Sequence, residues 1–212
     1  MNEPGVLLVV SSPSGAGKTT LCRRLIDEFP RLTFSVSTTT RKRRQGEVDG
    51  KDYFFVDDAV FDEMVAEERF AEWALVHGNR YGTSKKTITD NIDAGRDVLF
   101  DIDYQGGTRL KSLYEEAAMV FILPPTMAEL ARRLRSRGTD AEATVARRLA
   151  KAQDELTHFR EYDYLVTNDQ IDGAYAELRA IYVAAHCTQT KRAKRAVALL
   201  DEARGDESPK DC

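Results

Sequence analysis

The sequence predicts an α/β fold built on a parallel sheet, and three observations predict it. Residues 6–10 (VLLVV) and 119–123 (MVFIL) are unbroken apolar runs, the pattern of strands covered on both faces. Between such runs lie segments with apolar residues about four apart, first among them Leu21, Leu25 and Phe29, which give one face of a helix. A small, turn-rich segment, residues 11–17, joins the first strand to the first helix, as strand–helix alternation requires.

The elements follow in order. The first strand covers residues 6–10, after a Pro-Gly break, and the first helix residues 19–29, stopped by Pro30. Residues 32–36 predict a second strand. A basic run, Arg41-Lys42-Arg43-Arg44, leads into a turn region with Gly46 and Gly50, then a short strand over 53–56. Phe61, Met64 and Val65 predict a helix, and Ile88 and Ile92 another, closed by Gly95. Residues 97–103 read as a strand ending in the carboxylates Asp101 and Asp103, and 119–123 as a strand closed by Pro124-Pro125. Met127, Leu130 and Leu134 keep helical spacing up to Gly138; Val145, Leu149, Ala152 and Leu156 mark the next helix. Residues 164–166 form the last strand, and a helix runs from 171 through 185 toward Leu200. The polar stretch 205–212 is expected to be disordered.

Length and composition bound the class. The chain has 212 residues, which suggests one domain with room for an inserted lobe. A chain of this size buries about 70% of its unfolded surface and needs no disulfide or metal staple. With 42% hydrophobic and 31% charged residues, collagen-like and low-complexity classes are excluded. Cys22, Cys187 and Cys212 are odd in number and lack metal-type spacing, so they read as reduced thiols of a cytoplasmic protein. No basic n-region or long apolar segment suggests secretion or membrane insertion. The net charge of −4 argues against a nucleic-acid partner. By itself it also argues against an anion-binding protein, but the sum hides an arrangement. Residues 41–44 are all basic, and Arg132, Arg133, Arg135, Arg137, Arg147 and Arg148 form a second set, while acids gather at Asp57, Asp58, Asp62 and Glu63.

Residues 12–19 (SPSGAGKT) follow the phosphate-loop pattern G-x-x-x-x-G-K-[ST], with Ser12 at the first glycine position. Gly15 and Gly17 let backbone N–H groups curl around phosphate oxygens, and the helix start behind them adds a fixed positive end. Lys18 is placed to reach the β- and γ-phosphates and the Thr19 hydroxyl to ligate Mg²⁺. Other residues carry weaker signals alone. Asp101 and Asp103 suit an Mg²⁺-organising position and equally read as strand-end carboxylates facing water. Residues 41–44 also fit a solvated loop or a nucleic-acid patch, without the interleaved aromatics of a single-strand binder. Glu72 alone reads as a solvated glutamate at a helix end. His77, His158 and His186 are read as structural or surface residues.

Segments 35–41 (SVSTTTR), Arg44, 46–53 (GEVDGKDY), 72–74 (EWA), 78–84 (GNRYGTS), 101–106 (DIDYQG), 121–125 (FILPP), 133–134, 137–139 and 166–169 (VTND) together resemble the guanylate kinase family, in its order and spacing, over residues 5–185. The resemblance implies a P-loop NTPase-type parallel-sheet core flanked by helices, at 1–36, 91–126 and 160–204. It also implies an inserted GMP-binding lobe at 37–90 and a helical lid at 127–159. It implies reversible, Mg²⁺-dependent transfer of the ATP γ-phosphoryl group to GMP or dGMP, in purine nucleotide metabolism. The partners are then ATP and GMP, with neither nucleic acid nor membrane, and self-association stays open.

Site residues follow from the same resemblance. ATP would be bound by Ser12, Pro13, Ser14, Gly15, Ala16, Gly17, Lys18, Thr19 and Thr20, together with Arg133, Arg137 and Asn168. Arg41, Arg44, Tyr53 and Tyr81 match the contacts to the GMP phosphate. Ser37, Glu72, Thr83 and one or both of Asp101 and Asp103 match those to guanine. Lys18, Arg41, Arg137 and Arg148 would carry the transfer, and Thr19, with Asp101 as a candidate, the metal. Three residues depart from the family pattern: Ser12, Arg43 in place of a proline that would rigidify the turn before Arg44, and Arg80 where an aromatic is frequent.

Overall fold

A computed structural model describes residues 5–76, 78–136 and 142–205. His77, Arg137, the expected hinge at 137–140 and the tail at 206–212 lie outside them.

The main sheet consists of β1 (Leu7–Ser11), β2 (Leu32–Phe34), β7 (Asp97–Asp101), β8 (Ala118–Leu123) and β9 (Tyr164–Thr167), in the order β2-β7-β1-β8-β9, all parallel. Alternation along β1 explains its unbroken apolar run. Leu8 and Val10 face a core shared with Leu21 and Leu25 of α1 (Lys18–Glu28) and Leu178 and Tyr182 of α7 (Ile171–Ala185). Leu7 and Val9 face a second core with Ile88 of α3 (Lys85–Asp93) and Leu110 of α4 (Tyr104–Leu113). Every position is buried because both faces are covered.

A second sheet, in the order β4-β3-β6-β5, is formed by β3 (Thr38–Thr39), β4 (Phe54–Phe55), β5 (Phe70–Val76) and β6 (Asn79–Ser84). The antiparallel β5–β6 pair sets Glu72 opposite Thr83 and Trp73 opposite Gly82, with a register shift between Phe70 and Glu72. Helix α2 (Asp58–Ala66) is capped by the Asp57 carboxylate, which accepts from the Val60 amide at 2.8 Å. The remaining helices α5 (Met127–Ser136) and α6 (Glu142–Thr157) share a small core of Leu130, Leu134, Val145 and Ala152.

Among the described residues, three strands and one α-helix stand out as lacking a sequence expectation. Strands β3, β5 and β6 carry a buried glutamate, a glycine and many polar residues, so no period-2 alternation marks them. Helix α4 carries Gly106, Gly107 and Thr108, poor helix formers, right after its first two residues. What starts it is Asp103, whose carboxylate accepts from the Gly106 amide at 3.1 Å. This corrects the expected strand over 97–103: β7 ends at Asp101, and Asp103 caps the next helix. The expected single helix beyond Ile171 is two. It closes at Ala185, and α8 (Gln189–Gly205) restarts where the Thr188 carbonyl accepts from the Arg192 amide. The break falls where His186 is tied to the buried Asp97 at 3.2 Å. Among the described residues, no helix is long and apolar enough to cross a membrane.

Candidate active site

A cleft of about 700 Å³ runs from the end of β1 to the second sheet. It opens at the carboxyl ends of the parallel strands, where such folds bind ligands. One wall is the phosphate loop with Lys18 and Thr19; the other includes Ser37, Glu47, Tyr53, Glu72 and Tyr81, with Asp101 and Asp103 between them and Lys151 and Glu155 of α6 on the rim.

The loop is built by its own sequence. Gly17, the N-cap of α1, has φ 98° and ψ 10°, in the left-handed region. A Cβ there would lie 2.2 Å from the Asn168 amide nitrogen, which instead donates to the Ala16 carbonyl at 2.7 Å. Asn168, just past β9 and buried, therefore locks the loop from behind. Lys18 forms an ion pair with Asp101 at the end of β7. Thr19 and Thr20 are exposed in the first turn of α1, and Ser12 is partly exposed and leaves the loop open. Cys22, buried beneath the loop, has its thiol pushed up to about 12 by burial and then by the Asp101 charge.

On the far wall Glu72 lies on β5 and is 6% exposed, so the solvated helix-end reading is wrong on both counts. The partner strand β6 covers it, and buried Thr83 donates its hydroxyl to Oε1. Gly106 makes room for the other oxygen: a Cβ there would meet Glu72 Oε2 at 2.8 Å. Burial pushes the Glu72 carboxyl up, against the Thr83 hydrogen bond and the more distant Arg109 charge, and Asp103 adds to the rise.

On the same wall Glu47 grips Arg41. Nη2 donates to Oε1 at 2.7 Å and Nη1 to Oε2 at 3.1 Å, while the Arg44 amide donates to Oε2 at 2.8 Å. The Arg41 guanidinium also lies 5.2 Å from the centre of the Tyr53 ring. Glu47 was absent from the expected site, and its value is tertiary: it holds the turn that proline at 43 would have stiffened. The hydrogen bond to Glu47 raises the Arg41 pKa further, so this cation persists at every working pH. The Arg44 side chain is exposed. Arg80 faces away from the cleft, binding Asp58 at 2.6 Å and Asp62, with its guanidinium over the Phe61 ring; this outward anchor to α2 is what the arginine contributes there.

The arginines of α5 and α6 are mostly engaged. Arg132 and Arg133 both bind Glu129, whose carboxyl they hold down at about 2, and Arg133 Nη2 donates to the Asn168 carbonyl at 3.2 Å. Arg148 reaches the loop and donates to Ser14 Oγ at 2.7 Å. Glu155 also escaped the sequence reading. Its Oε2 is buried without a hydrogen-bond partner among the described residues, and burial pushes its pKa up.

Among the described residues no group of three His, Cys, Asp or Glu is placed to hold a metal ion. The cleft instead offers the Thr19 hydroxyl and the Asp101 carboxylate. Such a sparse, all-oxygen set suits Mg²⁺, which keeps several waters and takes the remaining ligands from phosphate oxygens.

The guanylate kinase family matches residues 5–185 of this sequence. The chain belongs to the guanylate kinase family. It is 56% identical over 179 residues to the guanylate kinase of Nitratidesulfovibrio vulgaris, covering 84% of this chain and 86% of the relative. It is 48% identical to that of Syntrophotalea carbinolica, over 95% of this chain and 96% of the relative. Among solved structures, the guanylate kinase of Anaplasma phagocytophilum superposes with a TM-score of 0.72 at 35% identity, over 90% of each chain. The parallel-sheet core flanked by helices is thus the P-loop NTPase fold of that family, and the curated family members are ATP:GMP phosphotransferases.

Proposed function

We propose that this chain transfers the γ-phosphoryl group of ATP to GMP or dGMP, reversibly and with Mg²⁺, in cytoplasmic purine nucleotide metabolism. The observation that supports the reading is one cleft with two unlike ends: a phosphate loop with Lys18 at one, and at the other a buried carboxylate, Glu72, on a wall whose Glu47 holds Arg41.

The chemistry needs charge and position more than proton transfer. The acceptor is a phosphate oxygen whose second pKa is about 6, so no general base is required. The difficulty is bringing two polyanions together. Unit charges about 4 Å apart repel by about 4 kcal/mol at an effective dielectric near 20. Arg41 and Arg44, with the Tyr53 and Tyr81 hydroxyls, would hold the acceptor phosphate from one side, and Glu47 keeps Arg41 oriented for it. The loop amides of residues 12–20 and Lys18 would hold the donor phosphates from the other, and Arg148 would swing from Ser14 onto them. Mg²⁺, held by Thr19 with Asp101 nearby and bound with ATP, supplies positive charge to the transferring group. Asn168 and Arg133 act from behind the loop, and Arg137 is assigned to the donor phosphates on family resemblance.

Base choice follows from donor–acceptor logic. Guanine presents N1–H and an amino group, both donors, to the Glu72 carboxylate, whereas adenine presents a bare acceptor. Ser37 and Thr83 would complete the contacts to guanine. The positions of Asp101 and Asp103 support a division of labour: Asp101, on Lys18, serves the phosphate side, and Asp103, which raises the Glu72 pKa, serves the guanine side. We assign 37–90 to the GMP lobe, 127–159 to the lid and the remainder of 1–204 to the core.

A panel of nucleoside monophosphates with ATP, with and without Mg²⁺, tests the reading through ADP release. GMP and dGMP are expected to turn over and AMP to lag far behind. Absence of turnover with every acceptor would favour a binding module, and equal rates with AMP would remove the role given to Glu72.

A further inference from the structure

Glu155, near the carboxyl end of α6, is an acid that the proposed transfer leaves unused. Its side chain is 13% exposed and lines the cleft beside the phosphate loop. Oε2 is buried with no hydrogen-bond partner among the described residues. An orphaned acid here disfavours folding and repels an incoming polyanion, so it calls for a compensating partner. Burial pushes its carboxyl up, the Lys151 and Lys18 charges pull it back, and Asp103 adds to the rise.

The compensating partner is Lys151. Arg148, Lys151 and Glu155 are spaced three and four apart and share one stripe of α6, beside the apolar stripe of Val145, Leu149 and Ala152 that packs on α5. At one end of the stripe Arg148 donates to Ser14 Oγ of the phosphate loop at 2.7 Å. At the other end Glu155 lies within electrostatic reach of Lys18. Lys151 stands between them on the helix and lines the same cleft. Its Nζ is 3.5 Å from Glu155 Oε1, longer than an N–H···O hydrogen bond of about 2.7–3.2 Å. Among the described residues it makes no other ion pair or hydrogen bond, so its ammonium is held by charge while its donors stay uncommitted. By contrast, Arg133 is committed to Glu129 at 2.7 Å and Arg135 to Glu142 at 2.6 Å.

We propose that Lys151 is a further residue binding the donor phosphates, and that Glu155 is the positioning residue that keeps its ammonium at the cleft. The proposal rests on the reading that ATP occupies the loop at residues 12–19. A lysine side chain is long and flexible, and ordering it on a ligand costs entropy. The Glu155 charge confines it beforehand, and the long contact lets it leave for a phosphate oxygen, with which it forms a charge-assisted hydrogen bond. While paired, the two charges cancel toward an approaching nucleotide, so the acid does not repel it.

Steady-state kinetics and calorimetric titration with Mg²⁺–ATP on the full chain test this. Lys151→Met is expected to lower kcat/KM for ATP by about 10- to 100-fold, the loss of one charge-assisted hydrogen bond, with KM for GMP within about 3-fold of wild type. Lys151→Arg keeps a cation and is expected to recover most of that loss. Glu155→Gln keeps the volume but releases the ammonium, and is expected to raise KM for ATP by about 5-fold with kcat nearly unchanged. In the Lys151→Met background the same change should cost nothing further and recover up to about 3-fold, because the unpaired acid is removed. A glutamate that only supports the fold would cost the same in both backgrounds, and a neutral Glu155 donating its own proton to a phosphate would be replaced by glutamine without loss; either result overturns the positioning role. Wild-type ATP kinetics and affinity in Lys151→Met would overturn the whole inference. Calorimetry separates it from the proposed reaction: a wild type that turns over no acceptor, yet binds Mg²⁺–ATP about 10-fold more tightly than Lys151→Met, refutes the reaction and upholds the contact.

Discussion

Glu72→Gln isolates the charge at the proposed guanine end of the cleft while keeping the side chain's volume. In the wild type Oε1 already accepts from Thr83, and on the proposed reading the carboxylate also accepts from guanine, in a pocket closed by β6 and Gly106. The amide keeps one acceptor and turns an NH₂ group toward a guanine donor. One charge-assisted hydrogen bond is lost, worth about 1.5–3 kcal/mol, and a donor is left facing a donor, at about 1–3 kcal/mol. Taken together, roughly 3–4 kcal/mol corresponds to a fall of about 10²–10³ in kcat/KM for GMP. Adenine gains, because its N1 can accept from the new amide, so the preference for GMP over AMP should collapse further than GMP turnover alone. Coupled ADP-release assays with both acceptors measure this. A GMP-to-AMP ratio within about 3-fold of wild type would refute the reasoning. The same variant carries a stability signature of known sign. Burial raises the Glu72 pKa in the folded state, so its ionisation opposes folding once pH exceeds the unfolded value. The glutamine protein should therefore melt higher than wild type at neutral pH, and the difference should shrink as pH falls toward the ordinary glutamate range.

Arg41→Ala should raise KM for GMP while leaving KM for ATP within about 3-fold; Glu47→Ala should do the same more weakly, by about 10-fold in GMP KM with kcat nearly unchanged, since it frees rather than removes the guanidinium. Asp97→Asn should cost about 3 kcal/mol in urea unfolding, because the buried carboxylate accepts from the Val6 amide at 2.7 Å and the Tyr182 hydroxyl at 2.6 Å and pairs with His186. Burial alone would raise the Asp97 pKa, but the bonds from His186, Tyr182 and Val6 outweigh it and hold it low, so its stabilisation is present at neutral pH and lost as pH falls through the depressed value. Cys22, with its thiol raised to about 12 and no exposed surface, should resist alkylation in the native protein under conditions that label Cys187, and react only after unfolding.

Legibility in the sequence tracked how local each signal is. The phosphate loop is a contiguous string whose glycines, lysine and threonine act through their own backbone and first helical turn, and it sits where the string placed it. The strands of the main sheet announced themselves because burial on both faces demands continuous apolar runs. Glu72 could be singled out only by family resemblance, since a glutamate in a mixed polar segment reads as solvated; what makes it a buried acceptor is Thr83 on the next strand and the missing side chain at Gly106. Glu47 was read only as part of the matching segment 46–53, with no role of its own, and Glu155 was not singled out, because each acts through partners met only in the folded chain.

The sequence by itself determined the core architecture, the place of the loop 12–17 between β1 and α1, and the family. Those depend on periodicity and on one short motif, whose energetics are contained within neighbouring residues. Tertiary structure decided the remainder: which of two strand-end aspartates meets Lys18, which arginines are tied to carboxylates, and where the last helix breaks. Electrostatic and hydrogen-bonding partners are chosen by distances of a few ångströms in space, and separations of up to 186 residues along the chain, as between Lys191 and Gly5, carry no local trace of them.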